Sequence, residues 1–119
     1  MALIGAELVS VRAGEIEIVL PVREELHQQS GVTHAGVIAA IADSACGYAA
    51  LTLMPAGSDV VSIEFKLNLL APGTGGQLLA RAKVVRSGRT ITVCQADVFA
   101  AETLVATMVG TMMRRNATR

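Results

Sequence analysis

Residues Gly31–Ala50 read GVTHAGVIAAIADSACGYAA. From Ala35 to Ser58 the chain carries one carboxylate, Asp43, and no Lys, Arg or His. The spacing predicts one long helix over His34–Met54, apolar on nearly every side. Thr33 is a candidate N-cap, and Pro55 and Gly57 stop it. Such a helix either spans a bilayer or lies inside a packed core. The stretch is rich in Ala and Gly, centres on Asp43 and has no Lys/Arg cluster at either end, so it reads as a core helix.

The segments around the helix read as strands. GEIEIVLPV (Gly14–Val22) alternates apolar and polar residues, and REELHQQSGV (Arg23–Val32) reads as a loop. After the helix, VVSIEFKLNLLAP (Val60–Pro72) alternates again. Val61, Ile63, Phe65, Leu67 and Leu69 are expected on one face, with Ser62, Glu64, Lys66 and Asn68 on the other. PGTGG turns the chain into a strand over Gln77–Arg86. SGR turns it into another over Thr90–Ala100, and AET into a last one over Leu104–Met113. Gly110 marks a bulge or a close contact, and the tail RRNATR is expected to fray. The pattern is α+β: a meander of antiparallel strands with one face to cover, curled around a single helix whose Ala39, Ala42, Ala45, Gly47 and Ala49 allow close approach.

Composition narrows the function classes. The 119 residues suit one domain over 1–119, and 52% are hydrophobic, enough to form a core. Ten basic residues balance ten acidic ones, which argues against a nucleic-acid partner. No membrane association is expected, and no secretory leader is visible in MALIGAELVSVRAGE. Cys46 and Cys94 read as buried, reduced thiols of a cytoplasmic protein, and no metal-ligating cluster is present.

Asp43 is the candidate for chemistry. A buried carboxylate without partners destabilises a fold, so it is either satisfied by hydroxyl or backbone donors or faces a cleft. Just upstream, the start of the helix offers unpaired N–H groups and the positive end of its dipole. Ala35 and Gly36 carry little side chain, so a ligand oxygen can come close, as in an oxyanion hole. A carbonyl polarised there could be attacked by Asp43 or by a water that Asp43 activates.

The stretch His34-Ala35-Gly36 … Asp43-Ser44 … Gly47-Tyr48-Ala49 resembles the HGG…AxxAD(S/T)xxGxA signature of hotdog-fold acyl-CoA thioesterases, in particular the phenylacetate-degradation (PaaI-like) branch. The resemblance covers nearly the whole chain. It implies a curled antiparallel sheet of about five to six strands around one central helix, and hydrolysis of an acyl- or aryl-acyl-CoA to the acid and coenzyme A. No cofactor is implied beyond the coenzyme A of the substrate. By the same resemblance Asp43 is base or nucleophile and the Ala35 N–H, with Gly36, polarises the carbonyl. Gln28, with Gln29 beside it, and Ser62 position water or thioester, and His34 orients the loop. Arg86 and Arg89 flank a turn that is solvated or reaches the coenzyme A phosphates. Tyr48 lines an acyl pocket or simply packs, and Ser44 points elsewhere. The resemblance also implies a homodimer, doubled to a homotetramer, with the helix start of one subunit facing Asp43 of the other. The long strand at Val60–Leu70, if it is a sheet edge, fits such pairing.

One position departs from the signature: Ala35 stands where the second position is usually Gly. If only its N–H is used, in helical conformation, Ala serves as well. Two other functions stay open: a hydratase or dehydratase on the same fold using His34 with Asp43, and a non-catalytic acyl-CoA-binding module.

Overall fold

The computed structural model describes residues 5–23 and 33–116. Six strands and one helix follow in the order β1 (Glu7–Arg12), β2 (Glu15–Pro21), α1 (Ala35–Leu51), β3 (Ser58–Leu69), β4 (Gln77–Ser87), β5 (Ile91–Ala100) and β6 (Thr103–Asn116). All pairings are antiparallel, in the spatial order β1-β2-β4-β5-β6-β3.

Helix α1 packs against β2, β4, β5, β6 and β3. Five flat strands would spread over about 19 Å, while a helix with its side chains is only about 10–12 Å across. One helix can touch all five only if the sheet bends around it. Small side chains allow the approach. Ala42, Ala45 and Ala49 of the helix are fully buried, as are Ala80, Ala96 and Ala106 of the sheet. Larger residues, Ile16, Ile18, Leu20, Leu78 and Val98, close the core around them. The core is tight enough that enlarging the helix face should be costly. We expect Ala45→Leu to lower the unfolding free energy in urea by about 1–3 kcal/mol, the usual cost of forcing extra methylenes into a close-packed interior.

The helix is shorter than the sequence suggests at both ends. Its N-cap is His34, in extended conformation, with the ring Nδ1 accepting from the Gly36 N–H at 3.3 Å. Thr33 cannot serve as the cap because it is held away: its N–H donates to the Gly73 carbonyl at 2.8 Å. At the other end the helix stops at Leu51, ahead of Pro55, because Thr52 turns back on it. The Thr52 hydroxyl donates to the Ala49 carbonyl and accepts from the Gly14 N–H, both at 2.7 Å. Gly14 sits at φ 75°, a conformation that favours glycine, so the β1–β2 turn is fastened to the helix end by a residue suited to it.

β3 differs from a simple alternation. A bulge lies between Ser62 and Glu64. Residues paired across antiparallel strands share a face, and Ser62 pairs with Met112, Phe65 with Gly110 and Leu67 with Met108. Met112, Gly110 and Met108 are all buried on the helix side. The bulge therefore puts Ser62 on the same face as Phe65, Leu67 and Leu69, and leaves Glu64, Lys66 and Asn68 on the other. A strict period of two places Ser62 on the wrong side, because the extra residue flips the alternation. Gly110 lies opposite the residues just after this bulge, where a Cβ would come within 3.2 Å of the Met112 methyl. The expected fraying of the tail is corrected for residues 114–116, while residues 117–119 lie outside the described residues. Arg114–Asn116 extend β6, and Arg115 pairs with Asp59 of β3 at 3.0 Å.

β3 is an edge of the sheet. Ile63, Phe65 and Leu69 along it are exposed. The cysteines are free and buried, with the Cys94 thiol donating to the Cys46 carbonyl at 3.4 Å. Contact with Cys94, and then burial, push the Cys46 thiol well above its ordinary range. Among the described residues no helix is long and apolar enough to cross a membrane.

Candidate active site

Asp43 lies midway along α1, on the side that faces β3. It is half-buried, and its Oδ1 accepts from the Ser62 hydroxyl at 2.6 Å. The same hydroxyl lies 3.3 Å from the Met112 sulfur. Its single proton goes to the closer and stronger acceptor, the carboxylate. Ser62 reaches Asp43 only because the bulge has turned it inward. Among the described residues the carboxylate thus has one oxygen fixed by a hydroxyl and the other free for a ligand or water.

The pair opens into a cavity of about 340 Å³ between the helix and β3, lined by Asp43, Gly47, Tyr48, Leu51, Val60 and Ser62, among others. Tyr48 is 42% exposed and forms part of this wall. Ser44 also lines the cavity, although its neighbouring position on the helix suggested another direction. Asp59 stands in the lining too. The Val60 N–H, and then Arg115, hold its carboxyl below the ordinary range, so it is a fixed negative charge with a guanidinium against it. Val60 and Met112 were not singled out from the sequence, and Gly47 was read as a small residue for close approach, not as part of the site. Gly47 was within reach, since it stands one turn after Asp43 and so shares its helix face.

The helix start forms a second, separate feature. Of its first N–H groups, Val37 and Ile38 donate to the His34 carbonyl and Gly36 donates to the His34 ring. Among the described residues the Ala35 N–H has no partner. This narrows the expected pair of donors: the Gly36 N–H is occupied, and the Ala35 N–H remains. The ring that accepts at Nδ1 carries its proton on Nε2, so His34 acts locally as a cap. Ala35 is the first helical residue, so its methyl needs no unusual backbone conformation.

Asp43 follows Ala35 by eight residues, a rise of about 12 Å along the helix. Neither Ala35 nor Gly36 lines the Asp43 cavity. The Ala35 N–H and the Asp43 carboxylate of one chain therefore stand too far apart to meet on one carbonyl, and a reading in which a single helix supplies both is corrected by this distance. The same separation rules out an in-chain pairing of His34 with Asp43. Gln28 and Gln29 lie outside the described residues. Arg86 and Arg89 flank the β4–β5 turn, are exposed, and do not line the cavity. A second cavity of about 350 Å³ on the outer face of the sheet is walled by charges that largely pair with each other, including Arg81 with Glu17 at 2.8 Å.

The family model described as the thioesterase superfamily matches residues 30–107, which includes the helix, Asp43 and Ser62. The chain belongs to the thioesterase superfamily. A thioesterase family protein from Silicibacter pomeroyi has a similar structure, with TM-score 0.93 and 40% identity over 98% of this chain and 88% of that one. A mutant of the phenylacetic acid degradation protein PaaI from Thermus thermophilus is 28% identical with TM-score 0.88, covering 97% of each chain. The 1,4-dihydroxy-2-naphthoyl-CoA hydrolase of Listeria monocytogenes is 30% identical over 80% of this chain and 77% of its own length. The chain spans about two thirds of the length of other curated relatives it matches. These similarities support the hotdog fold and the PaaI-like branch, and they set the chain among thioester hydrolases.

Proposed function

We propose that the protein is an acyl-CoA thioesterase that acts as a homodimer, with Asp43 of one subunit and the Ala35 N–H of the other serving one substrate. The observation that carries this reading is the Asp43–Ser62 pair, a half-buried carboxylate oriented by a hydroxyl at the mouth of a cavity. Asp43 takes a proton from water as its oxygen bonds to the thioester carbon, or attacks that carbon itself. The carbonyl oxygen becomes an oxyanion and is stabilised by the free Ala35 N–H and the helix dipole behind it. The C–S bond then breaks, and coenzyme A leaves as a thiolate that picks up a proton; where Asp43 has attacked directly, a water hydrolyses the Asp43–acyl anhydride left behind, which releases the acid and restores the carboxylate. Ser62 holds the carboxylate in place, and Gln28 is assigned the water or thioester.

Two observations support the dimer. The two reactive groups of one chain stand about 12 Å apart along the helix, and β3 presents a long free edge with exposed Ile63, Phe65 and Leu69. A second β3 laid antiparallel beside the first would satisfy that edge and bring a second helix alongside. Doubling of the dimer to a tetramer and a cytoplasmic location belong to the same reading, as does a role for Arg86 and Arg89 toward the coenzyme A phosphates.

The test is thiol release from a panel of aliphatic and aromatic acyl-CoAs. Release from at least one is expected, and Ser62→Ala should lower its kcat by about ten- to a hundredfold, the loss of a hydrogen bond to a charged group. Binding without any thiol release would favour a non-catalytic acyl-CoA-binding module. Hydration of an enoyl-CoA without thiol release would favour a hydratase.

A further inference from the structure

Three neighbouring strands place one residue each on a single rung of the inner face. Ser62 of β3 pairs with Met112 of β6, and Met112 pairs with Thr92 of β5. Paired residues share a face, so the Met112 side chain lies between two hydroxyls. On one side Ser62 donates to Asp43 Oδ1 at 2.6 Å, and the Met112 sulfur lies 3.3 Å from the same hydroxyl oxygen. On the other side Thr92 is buried, and its hydroxyl has no hydrogen-bond partner among the described residues. Met112 is itself fully buried, and its methyl has room because position 110 is Gly: a Cβ there would come within 3.2 Å of it.

A thioether suits this place. Its sulfur is a weak acceptor, so it can press against the Ser62 hydroxyl without drawing the proton from a carboxylate. Its length fills the space between the two hydroxyls. A polar void of about 10–15 Å³ with two or more partners is enough to hold a water, and Ser62 and Thr92 would be such partners. A water there would accept the Ser62 proton and leave Asp43 without the donor that fixes it. We propose that Met112 is a positioning residue: its thioether separates Ser62 from Thr92 and keeps the one proton of the Ser62 hydroxyl on Asp43. The inference rests on the thioesterase reading and deepens it, by naming a residue that acts on the carboxylate through Ser62.

The experiment measures kcat and KM, for an acyl-CoA that the wild type cleaves, in Met112→Val and Met112→Leu and in Met112→Val combined with Ser62→Ala or with Thr92→Val. Urea unfolding is recorded for each. Val shortens the side chain and opens the space, whereas Leu still fills it. In Met112→Val kcat should fall about tenfold, the lower end of what losing the Ser62 hydrogen bond costs, with KM within about twofold. Met112→Leu, close to Met in volume, should lose less than about threefold. In the Ser62→Ala background Met112→Val should lower kcat by less than about twofold, because the hydroxyl it acts through is gone. Thr92→Val added to Met112→Val should recover most of the loss, since a void with one hydroxyl holds no water. A merely structural role would lower kcat equally with and without Ser62. That equal loss, no recovery with Thr92→Val, or full activity of Met112→Val would each overturn the proposal. Should Met112→Val not fold, Met112→Gln, which keeps the length and sets an amide oxygen against Ser62, takes its place in the comparison with Ser62→Ala. If the wild type cleaves no thioester, the thioesterase reading fails on its own, and crystal structures of the wild type and the Met112 variant read the pair directly. A Ser62 hydroxyl turned from Asp43 to the new acceptor would uphold the role of Met112, and an unchanged Ser62–Asp43 bond would overturn it.

Discussion

Asp43→Asn is expected to lower kcat/KM for every acyl-CoA the wild type cleaves by at least about a hundredfold, the usual contribution of a positioned base. Asn keeps the shape of the side chain and can still accept from the Ser62 hydroxyl. It can neither take a proton from water nor attack a carbonyl. The loss should fall on kcat, with acyl-CoA binding by calorimetry retained, because the carboxylate acts on the reacting carbon. If instead Asp43 only fastens the helix to β3, Asp43→Asn should shift the melting temperature and leave turnover near the wild-type value. Those two patterns are separable in one preparation, and they tell a catalytic carboxylate from one kept to fasten the helix to β3.

Ala35→Pro should cost a comparable amount by a different route. Proline at the first helical position removes one N–H, which in this chain has no partner among the described residues, and its fixed φ suits the start of a helix. The residue before a proline must be extended, and His34 already is, at φ −61° and ψ 136°. The substitution is therefore close to a deletion of a single hydrogen-bond donor. Loss of one oxyanion donor typically costs about a hundred- to a thousandfold in kcat. Unfolding in urea should move little. An Ala35→Pro protein with full activity would remove the helix start from the mechanism.

The sequence carried the fold well where apolar period and turn residues agreed. The helix, the strands from Gln77 onward and their turns are close to the expected spans, because most of each strand alternates against the helix and each turn has Gly, Ser or Glu-Thr to make it. The strand after the helix was read as an edge only conditionally, from its long apolar alternation, and the strand order places it there. The misreadings share one cause: a distant contact outweighed local pattern. Thr33 has the better cap chemistry, but a backbone bond to Gly73 fixes it elsewhere and His34 takes the role. The helix ends early because Thr52 is engaged by Gly14, 38 residues away in sequence. The bulge at Ser62–Glu64 has no signature in VSIEF, yet it decides which way Ser62 points. In the site, Asp43 was visible as an exception to its surroundings, and the family resemblance named Ser62 as a positioner of water or thioester, but its bond to Asp43 was not legible. That Gly36 is occupied by the His34 ring, and that Gly47 opens the cavity, depend on distances that residue types alone do not contain.

The claim at the centre is that each active site is assembled from two chains, and complementation tests it most directly. Asp43→Asn and Ala35→Pro, each inactive alone, are unfolded together and refolded as a mixture. In a mixed dimer one site collects both defects, while the other has Asp43 from one chain and the Ala35 N–H from its partner, both intact. With half the dimers mixed and half their sites intact, about a quarter of the wild-type thiol release should return. A mixture that forms dimers yet stays as inactive as its two components would place both groups in the same chain and contradict the account.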